Sequence, residues 1–328
     1  MKFRFSSLII MALVLVSCGD DKPATKAAEP APAAPVFQKK SPAFNADSAY
    51  IFVEKQVGFG HRFPGSKGHK ACADWMQKTF ELYADKVYNQ EGEAKNWDGK
   101  TIKLRNIIAS FNPDAKERIM ISAHWDSRPY ADHDPEPGNH NTPILAADDG
   151  GSGIAVMLEM ARAMAVSKPS IGVDFVCFDA EDLGKPDYED SYCLGSQYWA
   201  RKPHVPDYKA RYAVNLDMVG AKGARFVWEG FSVRNAENVL RKIWDLGVQM
   251  GYSNYYFYYQ GGAITDDHYY VTKLRGIPAV DIIHFSESTP SGFPAHWHTL
   301  GDNMAVIDRQ TLKAVGEPLL EVIYREQP

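Results

Sequence analysis

From residue 43 to the C-terminus, the chain alternates apolar runs of strand length with segments of helical periodicity, and no second linker interrupts them. The predicted strands are 102–110, 118–123, 173–178, 212–216, 226–228 and 278–283. The predicted helices lie near 47–56, after Ser66, at 152–165, around 240–247, after Asp266 and near 309–324. Strands separated by helices predict one α/β domain over 43–328, a three-layer α/β/α sandwich with a central mixed, largely parallel sheet.

Composition is consistent with such a domain and narrows its partners. The chain has 328 residues, of which 45% are hydrophobic, so it has enough apolar side chains for a sizeable core. Its formal net charge is −5 and it carries no lysine or arginine block, which argues against nucleic acid as a partner. Downstream of the N-terminus, no apolar run is long enough to span a bilayer.

The N-terminus has the pattern of a secretory signal. Lys2 and Arg4 precede a nine-residue apolar stretch at 8–16, which is too short for a membrane helix. The letters "LVSC" resemble the bacterial lipobox, so residues 1–17 are predicted to be a lipoprotein signal peptide and Cys18 the lipidated residue; the alternative is an ordinary signal cleaved nearby. This predicts a periplasmic protein anchored to the bacterial membrane. Gly19 favours the outer membrane, because the aspartate-type retention signal is absent.

The segment from 18 to 42 is rich in alanine and proline and is predicted to be an extended tether. Without Cys18, an odd number of cysteines remains, Cys72, Cys177 and Cys193. In an oxidising compartment a disulfide from Cys193 to Cys72 or to Cys177 is possible, and the sequence leaves that choice open.

Acidic and histidine side chains occur where predicted strands end or where a helix begins. Five segments supply them: His124 and Asp126, Asp148 and Asp149, Asp179 to Asp182, Asp217, and His296 with His298. In α/β folds, sites form beyond the carboxyl ends of the strands. A cluster of like charges there is costly unless a cation neutralises it. Histidine plus carboxylate, without cysteine, suits zinc with an open coordination position, which is the catalytic type of site.

Several motifs carry a family resemblance. From about Arg62 to the C-terminus the chain resembles the zinc-type glutaminyl-peptide cyclotransferases (glutaminyl cyclases), which share their fold with the zinc aminopeptidases. The motifs include "RFPGSKGH", "SAHWDS", "AADDGGSG", "CFDAED" and "NLDMVGA". The pair "DDHYYV" and "WHTLGDN" is more particular to the cyclases.

The resemblance implies one zinc ion per chain, held by Asp149, Asp182 and His298. It implies that Glu181 is the general acid and base. The family usually has two glutamates where this chain reads Glu181-Asp182, so the metal ligand here is one methylene shorter. His296 is implied to be a bystander.

The resemblance also assigns Asp217 and Asp266 to a hydrogen-bonded catalytic network and Trp297 to the substrate pocket. A histidine that the family often has is replaced here by Asp281, which leaves the proton network open. Aromatic residues of 253–260 are further candidates for the pocket.

The implied reaction converts the N-terminal glutamine of a peptide or protein to pyroglutamate with release of ammonia. One alternative is a two-metal zinc aminopeptidase, in which His124 and Asp217 bind a second metal and Asp149 bridges the two. A minor alternative is a non-catalytic binding lipoprotein on the same fold. The implied partners are peptides with N-terminal glutamine and, through the lipid anchor, a membrane.

Overall fold

The structure, a computed structural model, describes residues 37–328. The predicted signal peptide, Cys18 and most of the predicted tether lie outside the described residues. Among residues 37–328, the structure has no helix that is both long enough and apolar enough to cross a membrane.

A six-stranded mixed sheet forms the centre of the domain. Its strands are β1 (Lys86–Lys95), β2 (Thr101–Phe111), β3 (Arg118–His124), β4 (Gly172–Phe178), β5 (Ala213–Asp217) and β8 (Ala279–Ile283). The order is β1-β2-β4-β3-β5-β8; β4, β3, β5 and β8 run parallel to one another, whereas β2 is antiparallel to both of its neighbours. A separate parallel pair consists of β6 (Phe226–Trp228) and β7 (Tyr256–Gln260).

Seven named helices surround the sheet in the described part of the chain. They are α1 (Ala46–Val57), α2 (Lys67–Glu81), α3 (Gly151–Val166), α4 (Leu194–Arg201), α5 (Gly230–Gln249), α6 (Asp267–Tyr270) and α7 (Arg309–Arg325). A π-helical turn, Val271–Arg275, continues α6.

Both faces of the sheet are covered. Ile107 and Phe175 pack into a core cluster with side chains of α1, α2, α3, α5 and α7. Their strand neighbours Ile108 and Val176 point to the opposite face and pack with Trp199 of α4. This alternation along each strand is the period-two pattern of a sheet buried on both sides, and it confirms the three-layer sandwich.

The predicted elements are confirmed within a few residues of their ends. Ser66 caps α2, since its hydroxyl accepts a hydrogen bond from the backbone N–H of His69 at 3.1 Å. The inner face of that helix is buried at Cys72, Met76 and Phe80. Three elements, β1, α4 and β7, were not predicted.

The structure shows neither of the disulfides that the sequence left open. Cys72, Cys177 and Cys193 are all buried and free, so none of these three described thiols forms a disulfide.

Candidate active site

The three predicted zinc ligands converge at the carboxyl edge of the parallel strands. His298 Nε2 lies 3.2 Å from Asp182 Oδ1 and 3.6 Å from Asp149 Oδ2. Zinc bonds of about 2.0–2.1 Å in a tetrahedron separate neighbouring ligand atoms by about 3.3 Å. Among the described residues, the buried oxygens Asp149 Oδ2 and Asp182 Oδ2 have no hydrogen-bond partner. Buried polar atoms without a partner are costly, so spacing and chemistry both fit a bound cation.

Two buried aspartates fix the backbone that carries these ligands. Asp302 accepts hydrogen bonds from the backbone N–H groups of Asp148, at 2.7 Å, and of Asp149, at 3.0 Å. Asp126 does the same for the segment after β4, with 3.0 Å to the N–H of Glu181 and 3.2 Å to that of Asp182. The backbone of Asp149 and that of Asp182 are therefore each held by a carboxylate from a distant part of the chain.

The buried Arg128 connects Asp182 to Asp132, which lies beside His298. The three candidate ligands Asp149, Asp182 and His298 are called the metal group below. The Arg128 guanidinium donates to the backbone oxygen of Asp182 at 3.0 Å and to Oδ1 at 3.1 Å, and it pairs with both oxygens of Asp132 at 2.7 and 2.6 Å. Asp132 Oδ1 in turn lies 3.5 Å from His298 Nδ1. Burial works against the charged form of Asp182, but His298 and Arg128 outweigh it and hold the pKa of Asp182 below its ordinary value.

A second group of possible ligands lies on the other side of Asp149. His124 Nε2 is 2.9 Å from Asp149 Oδ1 and 3.4 Å from Asp217 Oδ1. Burial raises the pKa of Asp217 to about 8. Asp149 thus presents one carboxylate oxygen to each group, as a bridging ligand would.

A cavity of about 250 Å³ opens beside the metal group. Four residues to which the sequence assigns a catalytic or substrate role, Glu181, Asp217, Asp266 and Trp297, line this cavity. Its wall consists of Asp149, Glu181, Asp182, Pro186, Tyr192, Asp217, Met218, Ile264, Thr265, Asp266, Ile283, Phe293, Trp297 and His298. The roles of these residues stay predictions, but the structure brings all of them to one place.

Trp297 forms one wall of the cavity. Its ring stacks on His298, with centroids 3.7 Å apart, and packs against Phe293 at 4.6 Å. The aromatic run 253–260 does not contribute to the described wall. Instead, Tyr256 is buried in the core and donates its hydroxyl to the backbone oxygen of Ala314 at 2.8 Å, so the expectation that this run surrounds the substrate is wrong.

Glu181 faces the cavity and is held from behind by Cys193. The thiol donates to Glu181 Oε1 at 3.2 Å, and the backbone N–H of Cys193 donates to the backbone oxygen of Glu181 at 2.9 Å. Burial raises the pKa of Glu181 well above its ordinary value. A carboxyl with a raised pKa is suited to accept and return a proton near neutral pH.

His296 lies outside the ligand group. Its Nε2 donates to Asp148 Oδ2 at 2.9 Å, and Asp148 Oδ1 accepts from the backbone N–H of Gly220 at 2.8 Å. His296 therefore supports the loop before α3 that presents Asp149.

Residues with supporting roles were missed from the sequence. These residues follow no periodic pattern, and most of their contacts join parts of the chain that are far apart in sequence. They contact the metal group or Glu181, and they are Arg128, Asp132, Asp302 and Cys193. One weak signal existed, since Asp302 lies within the motif "WHTLGDN".

The fold and the site define a zinc exopeptidase-like α/β enzyme. The model of peptidase family M28 matches residues 106–323, and the chain belongs to this family. Zinc is accordingly the metal for which the ligand group is suited.

Known proteins similar to this chain include glutaminyl cyclases and a Zn-dependent exopeptidase. The glutaminyl cyclase of Tannerella forsythia is 48% identical, with a TM-score of 0.86, over 87% of this chain and 100% of that one. A Zn-dependent exopeptidase from Parabacteroides distasonis has the same identity, TM-score and coverage. The glutaminyl-peptide cyclotransferase of Bos taurus is 28% identical over 302 residues, 81% of this chain and 78% of the bovine one.

Proposed function

We propose that this protein is a zinc-dependent glutaminyl-peptide cyclotransferase, which converts the N-terminal glutamine of peptides or proteins to pyroglutamate and releases ammonia. The observation that carries the proposal is the common cavity: the ligand group, Glu181 and Trp297 all face one small space. The similarity to glutaminyl cyclases over most of the chain supports the same reaction.

Asp149, Asp182 and His298 would hold the zinc. When bound, zinc supplies a Lewis acid that polarises the side-chain amide of the substrate and stabilises the oxyanion that develops there. The remaining chemistry belongs to side chains of the cavity.

Glu181 moves the proton. The substrate's own α-amine is the nucleophile, and its nitrogen forms a bond to the side-chain carbonyl carbon while the bond from that carbon to the amide nitrogen breaks. Glu181 takes a proton from the attacking amine and gives it to the departing nitrogen, which leaves as ammonia. The enzyme therefore needs no serine or cysteine nucleophile.

The cavity selects the reactive conformer. Closure of a five-membered lactam requires the glutamine side chain to fold back on its own amine. A space of about 250 Å³ between Trp297 and the acidic side chains Asp217 and Asp266 suits one compact residue. Holding that conformer supplies the orientation that the reaction needs.

Ammonia release tests the proposal. The full-length zinc-loaded protein should release one ammonia from each peptide that begins with glutamine. The matched control is the same peptide with its α-amine acetylated, which cannot cyclise and should release none. No ammonia from the free peptide, or equal release from both, would overturn the proposal.

A two-metal aminopeptidase is the second candidate, and the group formed by His124, Asp149 and Asp217 favours it. In that case Glu181 would activate a water, and the first residue of the peptide would be removed whole. The similarity to the Zn-dependent exopeptidase from Parabacteroides distasonis agrees with this candidate. The number of zinc ions needed for full activity separates the two.

We also propose that a lipid on Cys18 anchors the protein in the periplasm, on the outer membrane. The support is the sequence "LVSC" behind a short apolar stretch, with Gly19 next in the chain. Labelled palmitate should enter the wild-type protein in cells but not a Cys18→Ala variant. A wild-type protein without label would contradict the lipidation. A wild-type protein recovered with the inner membrane would contradict the location on the outer membrane.

A further inference from the structure

A chain of buried polar groups lies behind Asp266, on the side away from the cavity. The side-chain amide of Asn215 donates to Asp266 Oδ2 at 2.8 Å and to Asp281 Oδ1 at 3.2 Å. The hydroxyl of Ser122 donates to Asn215 Oδ1 at 2.8 Å, which fixes the orientation of that amide. The carboxyls of Asp266 and Asp281 are therefore linked through one immobile donor.

His268 of α6 continues this chain. Its Nε2 lies 3.0 Å from Glu229 Oε2, and its Nδ1 lies 3.6 Å from Asp281 Oδ2. Over the described part of the chain, neither Nδ1 of His268 nor Oδ2 of Asp281 has a hydrogen-bond partner, and both atoms are buried. Two unsatisfied buried atoms that face each other at this distance define the contact on which the inference rests.

Glu229 determines which nitrogen of His268 carries hydrogen. Its Oε1 accepts from the backbone N–H groups of Phe231 and Ile264, both at 2.8 Å, and its Oε2 accepts from the N–H and hydroxyl of Ser232, both at 2.7 Å. Although burial opposes the charge, His268 and these donors lower the pKa of Glu229 to about 2. An ionised Glu229 accepts the Nε2–H of His268, so the Nδ1 of His268 faces Asp281 Oδ2.

We propose that His268 is a positioning residue: it fixes the carboxyl of Asp281 and thereby that of Asp266 at the cavity. This inference rests on the proposed function and adds a residue that touches neither the metal ligands nor the substrate space. Asp266 cannot rotate freely while Asn215 and Asp281 are held, and a fixed acid next to Glu181 keeps the substrate in the conformer that cyclises.

Two substitutions of similar size separate positioning from a purely structural role. In His268→Asn the new amide takes the place of Nδ1 and keeps the contact to Asp281. In His268→Gln the amide takes the place of Nε2 and keeps the contact to Glu229. Positioning predicts that His268→Gln lowers kcat for ammonia release by about tenfold or more, whereas His268→Asn recovers most of it. A structural role through Glu229 predicts the reverse order, and that order would overturn the inference.

Three further readouts complete the test. Zinc content should equal that of the wild type in both variants, because His268 lies outside the ligand group. His204→Asn, a loss of another largely buried histidine remote from the cavity, should leave kcat unchanged. Crystal structures should show the Asp266 carboxyl displaced in His268→Gln and in place in His268→Asn; an Asp266 that stays in place in both would overturn the inference.

The crystal structures also separate this inference from the proposed function. A wild type that releases no ammonia would contradict the function, and the position of Asp266 would still decide the inference. If neither His268 variant folds, Asp281→Ala removes the same contact from the other side. It should lower kcat as His268→Gln does, and a kcat within about twofold of wild type would overturn the inference.

Discussion

Replacement of Glu181 by glutamine separates proton transfer from every other property of the site. In the wild type the Cys193 thiol donates to Glu181 Oε1 at 3.2 Å. Glutamine has the same length as glutamate and retains an oxygen that can accept this hydrogen bond. The backbone N–H of Glu181 still donates to Asp126. Burial raises the pKa of Glu181 well above its ordinary value, so the position tolerates a neutral side chain such as the amide of glutamine. We expect Glu181→Gln to fold as well as the wild type.

Its activity should nevertheless collapse. A general acid and base contributes about 10²–10⁴-fold to a rate, equivalent to about 3–5 kcal/mol of activation free energy. We therefore expect kcat for ammonia release from a glutamine peptide to fall by about 10²–10⁴-fold, with zinc content and melting temperature unchanged. Glu159→Gln is the matched control, because Glu159 is a buried glutamate that contacts Asn45 and Arg162 instead of the cavity. A Glu181→Gln enzyme within about tenfold of wild type would refute the assignment of the base.

Three other predictions concern the metal, the substrate wall and pH. A chelator should abolish ammonia release, and one equivalent of zinc should restore it. A need for a second equivalent of zinc to restore activity would point to two metals. Zinc at a concentration a hundredfold above its Kd should raise the unfolding free energy by about 2.7 kcal/mol. Trp297→Ala should lower kcat/KM about 10–200-fold through the lost wall, and equal kinetics would remove Trp297 from the substrate contact. Burial lowers the pKa of His204 to about 4 from 6.5, so the unfolded chain binds the proton first and stability falls as pH drops from 6.5 to 4. Denaturant unfolding should show about 1–3 kcal/mol of this loss in the wild type and less in His204→Asn, and equal loss in both would contradict it.

The elements that the sequence revealed are those with a strong hydrophobic period. The parallel strands are continuous apolar runs because both of their faces are buried, and α2 shows both its cap and its apolar face. The edge strand β1 was missed because its residues are all exposed or half-buried and many are charged. The helix α4 was missed because it follows Cys193 in a left-handed conformation, at φ 55°, without a side-chain cap from the described residues. The strand β7 is short, and its tyrosines were interpreted as substrate contacts.

The site was predictable as far as strand ends determine it. Parallel strands bring their carboxyl ends to one edge, so acids and histidines that follow different strands must meet there. What no strand pattern contains is the pairing of side chains across long sequence separations. Asp302 with the loop before α3, Arg128 with Asp182, and Glu229 with His268 are contacts between elements that pack together only in the folded domain. The sequence shows aspartate at position 281, but it does not show that His268 of α6 faces this aspartate in the folded domain.

The most direct measurement is mass spectrometry of two peptides in one reaction with the zinc-loaded protein, one beginning with glutamine and the other with leucine. We predict that the glutamine peptide loses one ammonia and is otherwise whole, while the leucine peptide is unchanged. Removal of the entire first residue from either peptide would contradict this prediction and would establish an aminopeptidase. Two unchanged peptides in the presence of bound zinc would contradict it as well and would favour a binding protein.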